Sequence, residues 1–421
     1  MPLEEAGSAA SWAPLRVGVF RSLFIAALVS NVGTWMQTVG AQWFLVERHA
    51  SPTVVALVQT ASLTPTLLLA LFAGALADRV DRRRLLIWVQ AYAACAAAVL
   101  TALAMSDVLN SVSLLALMFA IGCAAALTTP TWQAIQPELV PRDQIRAATS
   151  LSGVAVDAAR AIGPPIAGLL VAAAGPGTVF AINAVSFVAL IGALLAWKRT
   201  PSAPVADRQP LNQAVIAGVR YIRQSSVVRR ILLRAAMFAF PASALWALLP
   251  VAASQHWHLR AIGYGSVLGT VGIGAVLGAL VMARLQARYS ANAVLAVATL
   301  VDAAGLLAAA YVPLGPAVVL LVLSGVAWIA ALTTLTVAAQ LSLPPWVRAR
   351  GLAMYLVILI GSQALGSWVW GVAAARFGVA HSLTASAVLL ILVAASMAVL
   401  PLQRETGAEQ RSASSGPSDL A

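Results

Sequence analysis

Long apolar segments alternate with short polar turns along almost the whole chain. A helix needs about 20 apolar residues to cross a bilayer, and twelve segments reach that scale. They cover roughly residues 20–45, 53–76, 85–105, 112–130, 147–174, 178–197, 231–253, 263–283, 291–311, 315–339, 350–374 and 382–400. Because most charged residues lie in the turns, the pattern predicts an all-α membrane protein with twelve transmembrane helices.

The longest polar stretch, residues 198–230, divides these segments into six and six. Apolar residues at 211, 215, 219 and 222 recur there at helical spacing, which predicts a short amphipathic helix on the membrane surface; a solvated connector is the alternative. The predicted domains are an N-terminal tail (1–18), a six-helix bundle (19–197), the linker (198–230), a second six-helix bundle (231–400) and a C-terminal tail (401–421).

A weak internal repeat supports this division. At an offset of 204 residues, six identities pair Thr129 with Thr333, Ala134 with Ala338, Gln136 with Gln340, Leu139 with Leu343, Pro141 with Pro345, and Arg146 with Arg350. Both copies lie between the fourth and fifth predicted helices of their half. An offset of six spans preserves orientation in the membrane, so the sequence predicts two parallel six-helix repeats.

Composition and charge exclude an ordinary soluble domain. The chain is 61% hydrophobic and 10% charged, with a mean hydropathy of +0.89. Its net charge of +12 would suggest nucleic acid in a soluble protein, but the arginines lie between apolar segments, so no such partner is expected. Of 26 basic residues, 22 fall on one side of the predicted topology, against Arg48, Arg260 and Arg376 on the other. The positive-inside rule then predicts two cytoplasmic termini.

Candidate enzyme chemistry is absent from the sequence. His49, His256, His258 and His381 all fall in loops or at span ends, and no carboxylate or cysteine near His256 and His258 completes a metal site. Nothing resembles a phosphate-binding Gly-Lys-Ser/Thr loop. We therefore expect no enzymatic activity, no metal and no cofactor. Alanine richness and a single lysine, Lys198, indicate a GC-rich bacterial genome, and the expected location is the bacterial inner membrane, as a monomer.

Charges inside the predicted spans are candidates for proton coupling. Charge within a bilayer is costly and usually faces the bundle interior or a water-filled cavity. Asp157 and Arg160 are three residues apart on the fifth span, so they share a helix face and can pair. Asp157 can either exchange a proton during transport or form a permanent structural ion pair. Asp302, midway along the ninth span, is the other candidate, with a structural role favoured.

A polar and aromatic stripe on the first span predicts a substrate cavity. Asn31, Trp35, Thr38 and Gln42 share one helical face, with Gln37 beside it. Such a stripe marks a face turned away from lipid. Further candidates on other spans are Gln59, Thr128, Thr129, Trp246, Trp328, Thr333, Thr334 and Gln363. A lining with few charges and several tryptophans suits an amphipathic or aromatic small molecule.

The turn between the second and third spans carries a recognisable motif. Its residues Gly74, Asp78, Arg79, Arg82 and Arg83 resemble the signature loop of the major facilitator superfamily of transporters, although Asp81 stands where the family usually has Gly. The resemblance implies a twelve-helix fold in which Asp78 caps a helix of the other half and the arginines form a cytoplasmic gate.

Three further segments resemble the enterobactin-exporter-like branch of that superfamily, namely residues 30–36, 136–142 and 159–164. Gly163, Pro164 and Gly168 resemble the fifth-helix motif of its proton-coupled exporters, whereas Trp132 stands where branch members often have Arg. The resemblance implies proton-coupled efflux of a siderophore- or drug-like molecule by alternating access. A proton-coupled importer, a lysolipid flippase and a non-transporting membrane sensor remain alternatives.

Overall fold

The computed structural model of the chain describes residues 12–198, 220, 225–344 and 347–397, and within them the side chains of residues 70–75, 77–79 and 349–350 are excepted. The predicted surface helix at residues 211–223 and the C-terminal tail at 401–421 lie outside the described residues, apart from Arg220. The side chains of Asp78 and Arg79 lie outside them as well.

Twelve α-helices account for nearly all of the described chain, as the apolar pattern predicts. Their bounds are α1 Gly18–Glu47, α2 Pro52–Arg79, α3 Arg82–Met105, α4 Ser111–Leu139, α5 Ile145–Ala174, α6 Pro176–Ala196, α7 Ser226–Gln255, α8 Ala261–Arg288, α9 Ala291–Tyr311, α10 Leu314–Ser342, α11 Arg348–Phe377 and α12 Val379–Ala395. Eleven are long and apolar enough to cross a membrane, and α12 is a shorter apolar helix in the described residues. The predicted membrane fold is confirmed.

Polar caps and glycine turns define where these helices begin and end. Asp81 and Asn110 accept hydrogen bonds from backbone N–H groups in the first turns of α3 and α4. Such caps satisfy donors that the helix itself leaves free. Gly175 (φ +79°) and Gly378 (φ +91°) each make a one-residue turn, between α5 and α6 and between α11 and α12. That backbone conformation favours glycine over any residue with a Cβ.

The two halves repeat the same packing. Within the first half α1 packs on α5 and α6, α2 on α4, and α3 on α4 and α6; the second half repeats these pairs with α7 to α12 in the same order. The bounds of α10 and α11 lie 203 residues beyond those of α4 and α5. This offset agrees, within the one or two residues by which helix ends vary, with the 204 of the sequence repeat.

Two helix pairs, α5 with α8 and α2 with α11, form most of the contact between the halves. A six-helix shift converts one pair into the other, as expected of parallel repeats. Because consecutive helices run in opposite directions, the turn at residues 79–82 and the connections at 48–51 and 256–260 lie at opposite ends of the bundle. We call these the α2–α3 end and the far end.

Candidate functional site

A cavity of about 630 Å³ lies within the first six helices, in the part of the bundle nearer the α2–α3 end. It is bordered by the first part of α1 and α5, the last part of α4 and α6, and the beginning of α3. Its polar lining consists of neutral amides and hydroxyls, contributed by Ser30, Asn31, Thr34, Gln90, Thr128, Thr129, Gln133, Gln136, Thr149 and Ser152. The remaining lining is apolar and aromatic, so the cavity wall carries no charged side chain.

Hydrogen bonds hold much of this lining in place. Gln90 donates to the Thr128 hydroxyl at 3.1 Å and so connects α3 with α4. Gln136 donates to Ser152 at 2.9 Å and accepts from Thr149 at 3.0 Å, which connects α4 with α5. The Gln90 carbonyl oxygen is buried without a hydrogen-bond partner among the described residues. Of the polar stripe predicted on α1, only Asn31 lines this cavity, and the amides on α3 and α4 that line it were not among the predicted site residues.

A charged and aromatic cluster lies one helical turn beyond the cavity, where the two halves meet. Asn31 and Val156 line the cavity, and four residues further along the same helices come Trp35 and Arg160. The Arg160 guanidinium lies over the Trp35 ring at 5.4 Å and the Trp246 ring at 5.7 Å. Its Nη1 is 3.4 Å from Oδ1 of Asp157. The sequence predicted the ion pair from its spacing on α5; the structure adds an aromatic face from each half.

The tryptophans form a continuous aromatic path into the second half. The Trp35 and Trp246 rings are 5.9 Å apart, the Trp246 and Trp328 rings 5.5 Å, and Phe238 lies 5.7 Å beyond Trp328. Three tryptophans predicted to line a substrate cavity thus contact one another at the centre of the bundle. Tilted and edge-on contacts of this kind are the favoured geometries of aromatic pairs.

At the far end, polar and aromatic contacts join the two halves. Gln42 on α1 donates to the Trp246 carbonyl oxygen at 3.2 Å and accepts from the Tyr264 hydroxyl at 2.6 Å. Trp43 stacks on the Tyr264 ring at 5.6 Å, and Tyr264 is fully buried. Thr53 and Thr60 on α2 donate to backbone carbonyls of α11. Gln42 therefore connects the halves beyond the cavity rather than lining it.

Other predicted cavity residues have different surroundings. Gln37 is buried and accepts a hydrogen bond from Asn183 at 2.7 Å, so it faces α6. The Thr38 hydroxyl donates to the carbonyl oxygen of Thr34 within α1. Gln59 and Gln363 are half-buried on the contacting helices α2 and α11. Thr333 is half-buried and Thr334 buried on α10.

Asp302 is fully buried on α9, away from the ion pair of α5. Its Oδ2 has no hydrogen-bond partner among the described residues. The α9–α10 contact beside it is close, since a Cβ placed on Gly305 would overlap the side chain of Ser324. The structure therefore separates the two predicted proton-coupling acids, and Asp302 lies on a helix that makes no principal contact with the other half.

The predicted fifth-helix motif lies at helix contacts on both of its sides. Gly163 approaches Val32 and Trp35 on α1, whereas Gly168 approaches the backbone of α8 at Ala261 and Gly265. A Cβ at either glycine would overlap neighbouring atoms. The close contacts of α5 with α1 and with α8 therefore depend on glycine at these two positions. Pro164 is buried within the same stretch of α5.

The described part of the predicted gate contacts its own half. Arg82 donates to the Ala134 carbonyl oxygen at 3.1 Å and pairs with Glu138 at 3.0 Å. Arg83 donates to the carbonyls of Leu194 and Leu195 at the end of α6. These two arginines join the turn to α4 and α6. Gly74 lies near the end of α2, and the gate role of Asp78 and Arg79 stays a prediction.

Comparison with known proteins identifies a family and several relatives of this chain. The family described as transmembrane secretion effector matches residues 9–420. A staphyloferrin A transporter of Staphylococcus aureus is 26% identical over 265 residues, which is 62% of this chain and 66% of the relative. The enterobactin exporter EntS of Shigella boydii is 27% identical over 269 residues, which is 63% of each. The chain thus spans just under two thirds of the length of these relatives.

Solved structures of transporters share the fold. A single-residue mutant of the nucleoside transporter NupG aligns with a TM-score of 0.77 at 13% identity, over 91% of this chain and 100% of its own. A bacterial homologue of the human lysosomal transporter Spinster, solved inward-facing and unoccupied, aligns with a TM-score of 0.70 at 18% identity, over 91% and 96%. By its family match, the chain belongs to the transmembrane secretion effector family of the major facilitator superfamily, and it shares the fold of these solved transporters.

Proposed function

We propose that this transporter exports a small amphipathic molecule, siderophore- or drug-like, in exchange for protons, from the cytoplasm across the bacterial inner membrane. The observation that carries the proposal is the arrangement at the centre of the bundle. An uncharged polar cavity lies one helical turn from the Asp157–Arg160 pair, three tryptophans begin beside that pair, and the Tyr264–Gln42 hydrogen bond joins the two halves beyond them. Such a site suits a solute with both hydrogen-bonding and apolar parts.

The proposed direction is supported by three observations. The family description names secretion, and a relative at 27% identity is named an exporter. The arginine-rich turns support a cytoplasmic location of the α2–α3 end by the positive-inside rule, and the cavity lies towards that end. A cavity nearest the cytoplasm is where a molecule awaiting export would bind.

Asp157 is the proposed proton carrier. A carboxylate can alternate between an ion pair and a protonated, neutral form, and Asp157 lies beside Arg160 at the junction of the halves with 19% of its side chain exposed. Gain or loss of its proton changes the net charge of this junction. Coupling between that charge and the contact of the halves is how a proton gradient could drive the cycle.

Proton movement in inside-out vesicles, followed with a pH-sensitive dye, tests the coupling. Siderophores and amphipathic antibiotics are added in turn to vesicles that carry the parent or the Asp157→Asn variant. We expect compound-dependent proton release from the parent and loss of that release in the variant, because Asn cannot exchange a proton, and we expect the variant still to bind ligand. Asp107→Asn, a change at an exposed loop acid, is the matched control and should behave as the parent.

Direction needs its own measurement. Labelled compound loaded into cells should leave faster when the parent is expressed than when the Asp157→Asn variant is. Faster uptake instead would favour a proton-coupled importer. Competition by lysolipid would favour a flippase, and ligand binding without flux would favour a sensor. Equal proton release from parent and variant at several pH values would remove Asp157 from the coupling mechanism.

A further inference from the structure

We propose that the transported molecule is a flat, apolar anion, and that Arg160 binds its negative group while Trp35 and Trp246 contact its apolar part. This inference rests on the proposed transport function, since it names the substrate class for the same site. It assigns Arg160 a role in recognition, beyond that of a counter-ion for Asp157.

The first observation is that the hydrogen-bonding capacity of Arg160 is unused. Its Nε and Nη1 are buried and have no hydrogen-bond partner among the described residues. The Asp157 carboxylate is 3.4 Å from Nη1, a geometry that gives an ion pair and leaves both donors without a hydrogen bond. Leaving a buried charged donor unsatisfied is costly, so such groups usually acquire a partner. Asp157 differs from Arg160 in this respect, because neither of its carboxylate oxygens is buried without a partner.

The chemistry of guanidinium then selects the ligand. Its planar fork of N–H donors fits a carboxylate or a similar planar anion through two parallel hydrogen bonds. A cationic ligand would instead have to bind Asp157 while lying against the positive charge of Arg160. A neutral ligand would leave that charge as it is. The unsatisfied donors therefore favour an anion over both.

The aromatic rings around Arg160 define the rest of the ligand. Trp35 comes from α1 and Trp246 from α7, and their rings are 5.9 Å apart at a 47° tilt. Trp328 extends the apolar surface from Trp246. Both Trp35 and Trp246 are partly exposed, whereas Trp328 is buried. A flat ring stacked against either exposed indole would place its anionic substituent near the guanidinium, which already lies over both rings.

The cluster lies close to the cavity. Arg160 retains 14% of its side chain exposed, and the cavity, whose lining residues carry no charge, ends one helical turn away. The amides and hydroxyls of that lining can bind polar parts of the molecule without attracting either sign of charge. Asp157, beside Arg160, is the group with which a bound anion would share the guanidinium.

Three isosteric probes test the class of ligand. They are 2-naphthoate, the neutral 2-naphthamide and the cationic 2-naphthamidine, whose planar substituents have similar size. Binding to the full chain in lipid nanodiscs is measured by isothermal titration. We expect 2-naphthoate to bind about tenfold or more tightly than 2-naphthamide, since a hydrogen bond to a charged partner exceeds one to a neutral group. The amidine should bind weakest.

Two variants assign the preference to Arg160. The double variant Asp157→Asn/Arg160→Gln removes both charges together and leaves no unpaired buried charge, so it should fold where a single change could fail. It should bind naphthoate no more tightly than naphthamide. Arg160→Lys keeps the charge without the fork and should retain only part of the preference. Thermal unfolding of each variant in the same nanodiscs checks its fold.

The contrary results are equally definite. Equal binding of naphthoate and naphthamide to the parent, tightest binding of the amidine, or an anion preference that survives in the double variant overturns the inference. Failure of all three probes to bind also overturns the inference, because 2-naphthoate contains both the flat apolar ring and the anionic group that the site is proposed to bind. Anion-selective binding without proton movement would support the inference and remove the proposed coupling. Proton-coupled flux without charge selectivity would do the reverse.

Discussion

At the turn between α2 and α3, a single carboxylate begins a helix. Oδ1 of Asp81 accepts a hydrogen bond from the Arg84 backbone N–H at 2.8 Å. The sequence comparison marked Asp81 as a departure from the family loop, where glycine is usual. Its position at the N-cap gives the departure a physical role, because Asp satisfies a donor of the first turn that glycine leaves to water.

Removal of this cap should destabilise the protein slightly. We expect Asp81→Ala to lower the free energy of unfolding by about 1 kcal/mol, the usual loss for an N-cap. Asp81→Asn should retain most of the stability, since asparagine caps helices about as well. Chemical unfolding in detergent micelles, followed by circular dichroism, compares the two. An Asn variant as unstable as the Ala variant would mean that the negative charge matters more than the hydrogen bond.

The residues of the site were predictable where one helix decides their geometry. Asp157 and Arg160 lie on one face because three residues span most of a helical turn, and they are 3.4 Å apart. The stripe on α1 was also visible, but its members end at different depths. Asn31 lines the cavity, whereas Gln42 joins the halves at the far end. The spacing of residues along one helix shows which of them share a face. It does not show which neighbouring helix packs against each residue.

Between elements, the closest approach joins α5 to α8 across the two halves. A Cβ placed on Gly265 would overlap the Pro164 carbonyl oxygen and approach the backbone of Gly168. In a bilayer, where lipid is as apolar as the helices, close backbone packing is a main source of association. Glycines recur along α8 at close spacing in the sequence, a pattern typical of close helix packing. This pattern does not show that α5 is the partner, because that contact joins residues about a hundred positions apart.

A methyl group at Gly265 should therefore separate the halves. We expect Gly265→Ala to destabilise the protein by about 1–3 kcal/mol, the usual range for overpacking, and to slow transport. Gly192→Ala on α6 is the matched control, because no neighbouring atom lies within 4 Å of the added Cβ. Since alanine favours helix over glycine, this control should be neutral or more stable. Thermal unfolding in nanodiscs measures both, and equal midpoints would show that the α5–α8 contact relaxes without cost.

At the scale of the whole molecule, the contacts between the halves that the described side chains make are distributed unevenly along the bundle. Those of Gln42, Trp43, Thr53 and Thr60 lie between the far end and the middle. The cavity lies towards the α2–α3 end. A transporter of this fold alternates access by rocking one half against the other. The apolar pattern and the repeat predicted the two halves, whereas the end at which they touch depends on side-chain contacts that no local pattern specifies.

The hydrogen bond between Tyr264 and Gln42 should hold the far end closed. It is 2.6 Å long, buried, and joins α8 to α1. Tyr264→Phe removes the hydroxyl and keeps the ring that stacks on Trp43. A hydrogen bond contributes about 1 kcal/mol, so the variant should shift the population towards a far-end-open state by roughly fivefold. In the proposed transport cycle the two halves separate at the far end. The shift can therefore be measured as a longer distance between the halves at that end.

Spin labels across the far end would report that shift. Nitroxides at Arg48→Cys and Arg260→Cys, both exposed, are introduced in a Cys95→Ser/Cys123→Ser background and read by double electron–electron resonance. We expect a longer-distance population to grow in Tyr264→Phe. Tyr311→Phe is the control. The Tyr311 hydroxyl contacts Thr384 within the second half, so this substitution removes a hydrogen bond that does not join the two halves. Equal distributions in the two variants would mean that helix packing alone closes this end, and that the polar contact of Gln42 contributes nothing to the choice of state.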